Sequence, residues 1–216
     1  RGSGNYDTRF FLDGIDIPLL FHFGGVKSTY NSLALQSVDM YPGGFGTAYG
    51  NAIGGVVEIK GKPGRGDRWK VVGDASLLDA TCHIEGPLSD DLTLTVSARR
   101  SFIGEVMDAA LSTQDDFNMA VAPYYMDGVL RLDYRQDSDH RLFFTAFGVK
   151  DRMSMVVGDA DEGSPEVNEA TDEIEMETRF TRFILGYDGD LRPGLKNTFR
   201  AAYGTQNESG HFLGYM

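Results

Sequence analysis

Four histidines, His22, His83, His140 and His211, are the side chains best suited to proton transfer or metal ligation, and none shares ligand spacing with another. His22 stands in Leu20-Phe21-His22-Phe23-Gly24-Gly25, where His22 and Phe23 could line a loop facing a ligand; a packed structural role is the other reading of this histidine. Gly44, Gly46 and Gly50 follow a strand-like segment at a spacing close to that of a dinucleotide-binding turn. Such a turn needs a helix after it and an acidic residue closing a later strand, whereas Gly54-Gly55 and a Val-Val strand follow here. Asp159-Ala160-Asp161-Glu162-Gly163 approximates a calcium loop, with its glycine one place early and Ala170 at the twelfth position instead of Glu. Loose divalent-cation binding is the most that segment offers. Cys82 is the single cysteine, which excludes an intramolecular disulfide and a cysteine-rich zinc site and reads as a small apolar filler. No Ser/His/Asp or Cys/His arrangement and no paired carboxylates emerge, so the expectation is a non-enzyme with no cofactor and no dedicated metal site.

The elements that must position these residues are strands. A net charge of −12 without a dense Lys/Arg run argues against nucleic-acid binding, which requires a basic face. The acid is concentrated: from Asp159 to Glu177 there are nine carboxylates and no Lys or Arg, the pattern of a solvated loop. Glycine, 27 residues in all, clusters in the first third. There, short apolar runs at 9–12, 15–20, 37–41 and 55–59 are separated by Asp-Gly, Gly-Gly and Pro-Gly turns, with a short helix expected near 32–35. Residues 61–66 read as a linker.

Beyond Asp67 a period of two takes over. Leu92, Leu94, Val96 and Ala98 alternate with Thr93, Thr95, Ser97 and Arg99, and Ala80, Cys82 and Ile84 alternate with Thr81, His83 and Glu85. Seven strands are predicted, at 68–76, 79–86, 92–100, 124–136, 140–152, 177–190 and 196–207. The later ones alternate less cleanly, because Phe143, Phe144 and Phe147 fall on both faces. Short turns (87–91, 137–139, 191–194) alternate with long connections (101–123, 153–176), as in membrane barrels with short periplasmic turns and long outer loops. The strands are about as long as a tilted bilayer crossing requires, ~9–11 residues. Trp69, Tyr134, Tyr187 and Tyr203 fall near strand ends, where an aromatic girdle would sit. Seven strands alone would leave two unpaired edges in hydrocarbon. The chain also opens at Arg1 inside what reads as a motif, so a piece of a longer protein is expected. No apolar stretch approaches the ~20 residues of a membrane helix.

The strongest local signal is Tyr41-Pro42-Gly43-Gly44-Phe45-Gly46-Thr47-Ala48-Tyr49-Gly50-Asn51-Ala52-Ile53-Gly54-Gly55-Val56-Val57-Glu58-Ile59. A strand enters a glycine turn, Gly50 is expected to relieve a positive φ, and Gly54-Gly55 allows close backbone approach before the next strand. This passage resembles the plug domain of TonB-dependent outer-membrane receptors, whose plugs carry a strand, a Pro-Gly turn, a Tyr-Gly and a Gly-Gly leading into a strand and then the barrel. Upstream, Arg1-Gly2 resembles the family's Arg-Gly step. Phe11-Leu12-Asp13-Gly14-Ile15-Asp16-Ile17-Pro18 resembles its Asp-Gly turn, and Ser37-Val38-Asp39-Met40-Tyr41 its following strand. Glu85-Gly86-Pro87-Leu88 and Arg99-Arg100-Ser101 look like its early barrel.

The resemblance implies a mainly β fold: the later part of an α+β plug domain at 1–66, then the first strands of a transmembrane antiparallel β-barrel at 67–216. It further implies an outer-membrane receptor for energised uptake of a scarce small-molecule ligand, surrounded by lipid and lipopolysaccharide. A TonB-type energy-transducing partner would be contacted through a segment absent from these residues. Arg99 is expected to point inward and pair with a plug carboxylate such as Glu58 or Asp39, the other reading being a basic residue snorkelling at a strand end. A soluble β-sandwich binding module and a passive outer-membrane barrel are the rival readings.

Overall fold

The computed structural model describes residues 7–22, 25, 27–106, 119–135, 137, 139–158, 171–192 and 194–213. The first part forms a four-stranded sheet from β1 (Thr8–Leu12), β2 (Ile15–Ile17), β3 (Leu35–Tyr41) and β4 (Gly55–Gly61), in the order β2-β1-β4-β3. β1 and β2 pair as a hairpin closing at Leu12 opposite Ile15. Its two turn residues, Asp13 and Gly14, have φ of 50° and 84°, the doubly left-handed turn whose twist suits a two-residue hairpin and for which Asp-Gly is a favoured sequence. β1 then runs parallel to β4, and β3 antiparallel to it. The expected helix near 32–35 is a single 3-10 turn, Ser32–Ala34, capped by the Asn31 side chain accepting from the Leu33 amide at 2.9 Å. Among the described residues of 1–66 it is the one helical element.

The remainder forms one antiparallel seven-stranded meander: β5 (Lys70–Ala75), β6 (Asp79–Pro87), β7 (Leu92–Ser101), β8 (Met119–Arg135), β9 (His140–Gly158), β10 (Thr171–Arg192) and β11 (Leu195–Leu213). The sheet is open, with β5 and β11 at its edges. Strands β8 to β11 are 17 to 22 residues long, well beyond the predicted spans. Much of what the sequence presented as long connections is therefore paired ladder: Met153 to Gly158 lies opposite Met176 to Thr171. In this outer portion the ladder is held by backbone bonds and cross-strand ion pairs. Arg152 meets Glu175 at 2.6 Å and Lys150 meets Glu177 at 3.1 Å. The end of the acidic run thus finds its counter-charges on the neighbouring strand instead of in a solvated loop. Residues 159–170, the calcium-loop-like stretch, lie outside the described residues.

The two faces of the large sheet are unlike. One carries Val71, Leu130, Leu142, Phe183, Leu185, Phe199 and Tyr203, all exposed, with Phe183 at 42%, Phe199 at 53% and Tyr203 at 69%. Phe144, Phe183 and Tyr203 stack across three strands with ring centroids 6.5 Å apart. The other face carries eight buried ionisable side chains among the described residues: Asp79, His83, Glu85, Arg99, Asp127, Arg131, Asp133 and Asp151, none above 8% exposed. The N-terminal sheet sits on this charged face. Between them lies one apolar cluster that joins Leu12, Ile17, Tyr30 and Ile59 to Val129, Phe143, Phe147, Phe180 and Ile184. Phe147 packs edge-on against Tyr30 at 5.4 Å and Phe180 at 5.6 Å. That island explains the poor alternation of β9: Phe143 and Phe147 face the N-terminal sheet, while Phe144 faces outward.

Trp69, Tyr134 and Tyr187 lie toward the short-turn ends of their strands, Trp69 covering Gly86 on the outer face. Tyr203 does not. It pairs with Phe183 mid-strand, because β11 continues ten residues past it to Leu213.

Candidate functional site

The buried contacts between the two sheets form the candidate site, and arginines dominate it. Four strands of the large sheet, β7, β8, β10 and β11, each send one guanidinium into the N-terminal unit. Arg131 of β8 is the most buried, at 1% exposure. It donates to Asp13 Oδ2 at 2.6 Å, to Asp133 Oδ2 at 2.9 Å and to Thr145 at 2.8 Å. Arg200 donates to the Asp13 carbonyl and Arg182 to the Asp16 carbonyl, both at 3.1 Å. Arg99 donates to Asp127 Oδ2 at 2.7 Å and to the Ser28 carbonyl.

The Asp13-Gly14 turn is therefore gripped twice, by side chain and by backbone. Its geometry matters: the tight turn leaves the Asp13 carboxylate free to take Arg131 on one oxygen and the Gly61 amide, at 3.2 Å, on the other. Gly61 has no room for a side chain, since a Cβ there would lie 2.6 Å from Arg131 Nη1 and 2.8 Å from the Tyr30 hydroxyl. Burial pushes the Asp13 carboxyl above its ordinary range even with Arg131 beside it, so desolvation is the larger effect at this pair. Phe143 anchors the arginines: Arg131, Arg200 and Arg141 lie 4.3, 4.8 and 5.3 Å from its ring centroid. The ring itself lies over Gly186, where a Cβ would come within 2.1 Å of it.

At the other end of the interface His22 is 2% exposed and its ring stacks on Tyr125 at 4.4 Å. Nδ1 bonds Asp151, and Nε2 lies 3.1 Å from Asp127 Oδ2. Burial lowers an imidazole pKa, but hydrogen bonds and charge from Asp127 and Asp151 outweigh it and hold His22 above its ordinary value. Lys27 approaches Asp79 at 3.5 Å, and Asp79 accepts from the Tyr125 hydroxyl at 2.7 Å. Lys62, just after β4, reaches the buried Glu85 at 2.8 Å.

The residues singled out from sequence fall in separate places. Asp13 and Gly14 are at the centre of the interface. Arg99 reaches the N-terminal unit through His22 and Ser28, but its carboxylate is Asp127 of the next strand. Glu58 and Asp39 do not serve it: Glu58 accepts from the Tyr49 hydroxyl and Asp39 from Lys60 at 3.1 Å. These two face each other across the β3–β4 ladder, away from Arg99. The ring of His22 is buried and engaged on both nitrogens, the geometry expected of the packed reading. Pro42, Gly43, Gly44, Tyr49, Gly50, Gly54 and Gly55 gather at the opposite end of β4 from Gly61. Gly43 and Gly44 take positive φ, whereas Gly50 does not; Asn51, at φ 59°, adopts that conformation one residue later, which asparagine tolerates. Gly55 meets the close approach expected of the Gly-Gly pair, with Tyr41 O 3.1 Å from where its Cβ would stand. Arg1, Gly2 and Phe23 lie outside the described residues. Among the described residues no group of three or more His, Cys, Asp or Glu side chains could hold a metal ion.

Arg131, Arg182 and Arg200 escaped the sequence reading. The signal that marks Arg131 is parity: it shares a strand face with Val129 and Asp133 while Leu130, Leu132 and Tyr134 hold the other.

No family model and no curated protein matches the chain. Among solved structures it is similar to the ferric enterobactin receptor PfeA of Pseudomonas aeruginosa, at 12% identity over 97% of this chain and 39% of that one, with a TM-score of 0.49. It is also similar to the siderophore receptor PirA of Acinetobacter baumannii (13% identity, 99% and 38% covered, TM-score 0.46). PirA of Pseudomonas aeruginosa matches at 14% identity over 98% of this chain and 51% of that one, TM-score 0.43. The chain spans between 38% and 51% of the length of these neighbours.

Proposed function

We propose that this chain is part of a TonB-dependent outer-membrane receptor, with residues 1–66 the later part of its plug domain and residues 67–216 the first strands of its barrel. The observation that carries the reading is the inverted sheet. Its apolar face is bare, and its charged face is buried under the N-terminal unit. A soluble sandwich buries the apolar face of each sheet against the other; a membrane barrel turns that face to lipid and keeps a polar lumen. From Tyr134 to Met126 the outer face of β8 presents an apolar band about 20 Å tall at a typical strand tilt, against ~25 Å for such barrels. Arg100, Lys150, Arg152 and Arg179 lie at its outer margin.

The interface itself supports a plug that can move. Among the described residues the side-chain hydrogen bonds that cross it are charge-assisted, from Arg99, Arg131, Arg182, Arg200, Lys62 and His22, and water can replace each of them as the unit moves. The inferred work of the whole protein is uptake of a scarce ligand such as a siderophore or cobalamin, driven by a TonB-type partner engaging a segment outside these residues. No catalytic step is part of it.

Two measurements test this. The full-length protein is expressed in cells with and without TonB, and entry of iron-55 bound to catecholate or hydroxamate siderophores and of cobalt-57 cobalamin is followed. Uptake of one of these that stops without TonB is expected; uptake indifferent to TonB means a passive barrel. Separately, Leu130→Arg, at the middle of the apolar band, should destabilise the protein in bilayers by about 2–4 kcal/mol. On a water-exposed sheet the same change stays within about 0.5 kcal/mol, and urea titration in lipid vesicles separates the two.

A further inference from the structure

We propose that the proton on His22 Nε2 is a latch between the N-terminal unit and the large sheet, so that deprotonation loosens the hairpin formed by residues 20–22 and 27–30. The inference rests on the receptor reading only in calling that hairpin part of a plug. Geometry provides the two states. Nδ1 bonds Asp151 of β9 in both, since among the described residues no other donor reaches the Asp151 side chain: its second carboxylate oxygen, Oδ2, is buried without a hydrogen-bond partner there. Nε2 faces two groups of opposite character. Asp127 Oδ2 of β8 lies 3.1 Å away and needs a proton on Nε2; Arg99 Nη2 of β7 lies 3.3 Å away and can use only a lone pair there.

Charge decides between them. The groups packed against the imidazole are Asp127, Asp151 and Arg99, with Tyr125 stacked on the ring. Lys27, on the hairpin itself, is offset by Asp79 behind Tyr125. With His22 neutral, two carboxylates share one guanidinium in a site closed to water. With His22 protonated the site is balanced, and every polar hydrogen on the ring meets a carboxylate. Arg99 is already committed to Asp127 and to the Ser28 carbonyl, so the neutral state gains only a third, longer bond from it. The hairpin is anchored further by the Thr29 amide donating to the Leu20 carbonyl at 2.8 Å and the His22 amide to the Lys27 carbonyl at 3.0 Å, which ties residues 20–22 to 27–30 as a unit that opens together.

The sign follows from linkage. A histidine whose pKa is raised by folding contributes its full share of stability at pH values below the ordinary 6.5, and loses it as pH climbs through the raised value. Opening of the hairpin should therefore grow about tenfold per pH unit across that window. The protein at its full natural length, labelled with nitrogen-15 histidine in lipid, gives the test, with His22→Gln identifying the His22 signal by difference. At pH 6.5, the ordinary midpoint of an imidazole, the form of His22 with protons on both ring nitrogens is expected to predominate. Hydrogen-exchange protection of residues 20–22 and 27–30, corrected for the intrinsic pH effect, should fall above that pH in the wild type and stay flat in His22→Gln. Asp151→Asn, which keeps the shape and removes one charge, should move the histidine titration down by at least one pH unit. A predominantly neutral imidazole at pH 6.5, a titration unmoved by Asp151→Asn, or hairpin protection independent of pH overturns the latch. Uptake that ignores TonB while His22 titrates as stated would instead sink the receptor reading and leave the latch standing.

Discussion

Replacing Arg131 with alanine is expected to release the N-terminal unit from the large sheet at a cost of about 3–5 kcal/mol, the range for removing one partner of a buried ion pair. The size comes from what remains behind. Asp13 and Asp133 lose donors at 2.6 and 2.9 Å, and Asp13, whose carboxyl burial already pushes up, must carry an uncompensated buried charge or take up a proton. Thr145 and the ring of Phe143 lose their contacts as well. Arg141 still holds Asp133, so the damage concentrates on Asp13 and the turn it belongs to. The measure is the urea dependence of N-terminal-unit unfolding in the full-length protein, followed by exchange of the Gly14 to Ile17 amides. The combined change Arg131→Met and Asp13→Asn should recover much of the loss, because burying that pair already costs desolvation while Arg141 continues to neutralise Asp133. A loss below 1 kcal/mol in Arg131→Ala would mean that the interface is held by its apolar island instead.

The second large effect is expected at Phe143. Phe143→Ala should destabilise the same interface by roughly 3–5 kcal/mol, the usual cost of emptying a buried phenylalanine site. The ring is 2% exposed, fills the space above Gly186 and receives three guanidinium groups on its faces. Each cation–π contact is worth about 0.5–2 kcal/mol, so a substitution that keeps the volume but not the ring separates the two contributions. Phe143→Leu should retain most of the packing and lose the arginine platform. Exchange protection at Asp13 and Gly14 should therefore drop more in Phe143→Leu than at Leu20 and Ala34, which belong to the apolar cluster. Equal loss at all four positions would assign Phe143 to packing alone.

How much of this was legible in the sequence depends on the distance over which each feature is determined. The Asp13-Gly14 turn is local chemistry: an aspartate and a glycine between apolar runs dictate a two-residue hairpin. The alternation of β6 and β7 is equally local, since Leu92 to Ala98 must share a face. The length of β9 and β10 is not. Met153 to Gly158 forms strand because Thr171 to Met176 lies beside it, and the ion pairs of Arg152 and Lys150 join residues more than twenty positions apart in sequence. Phe143 and Phe147 blurred the periodicity for a physical reason: on the inner face of β9 the neighbour is another apolar surface instead of water. The partner of Arg131 is 118 positions away and that of Arg200 is 187 away. Nothing in local spacing could name Asp13 for either. Parity turns one of Arg99 and Arg100 inward without saying which, and the pairing of Arg99 with Asp127 instead of Glu58 or Asp39 rests on cross-strand register, with Arg99 directly opposite Asp127.

Spin-label accessibility along β8 tests the inverted sheet most directly. Nitroxides are placed one at a time at residues 128, 129, 130, 132 and 133 of the full-length protein in outer-membrane lipid, and collision with oxygen and with a water-soluble nickel chelate is recorded. High oxygen and low chelate accessibility are expected at Gly128, Leu130 and Leu132, and low values of both at Val129 and Asp133. Chelate access at Leu130 and Leu132 equal to that of a water-exposed site would contradict the inverted sheet, and with it the membrane barrel.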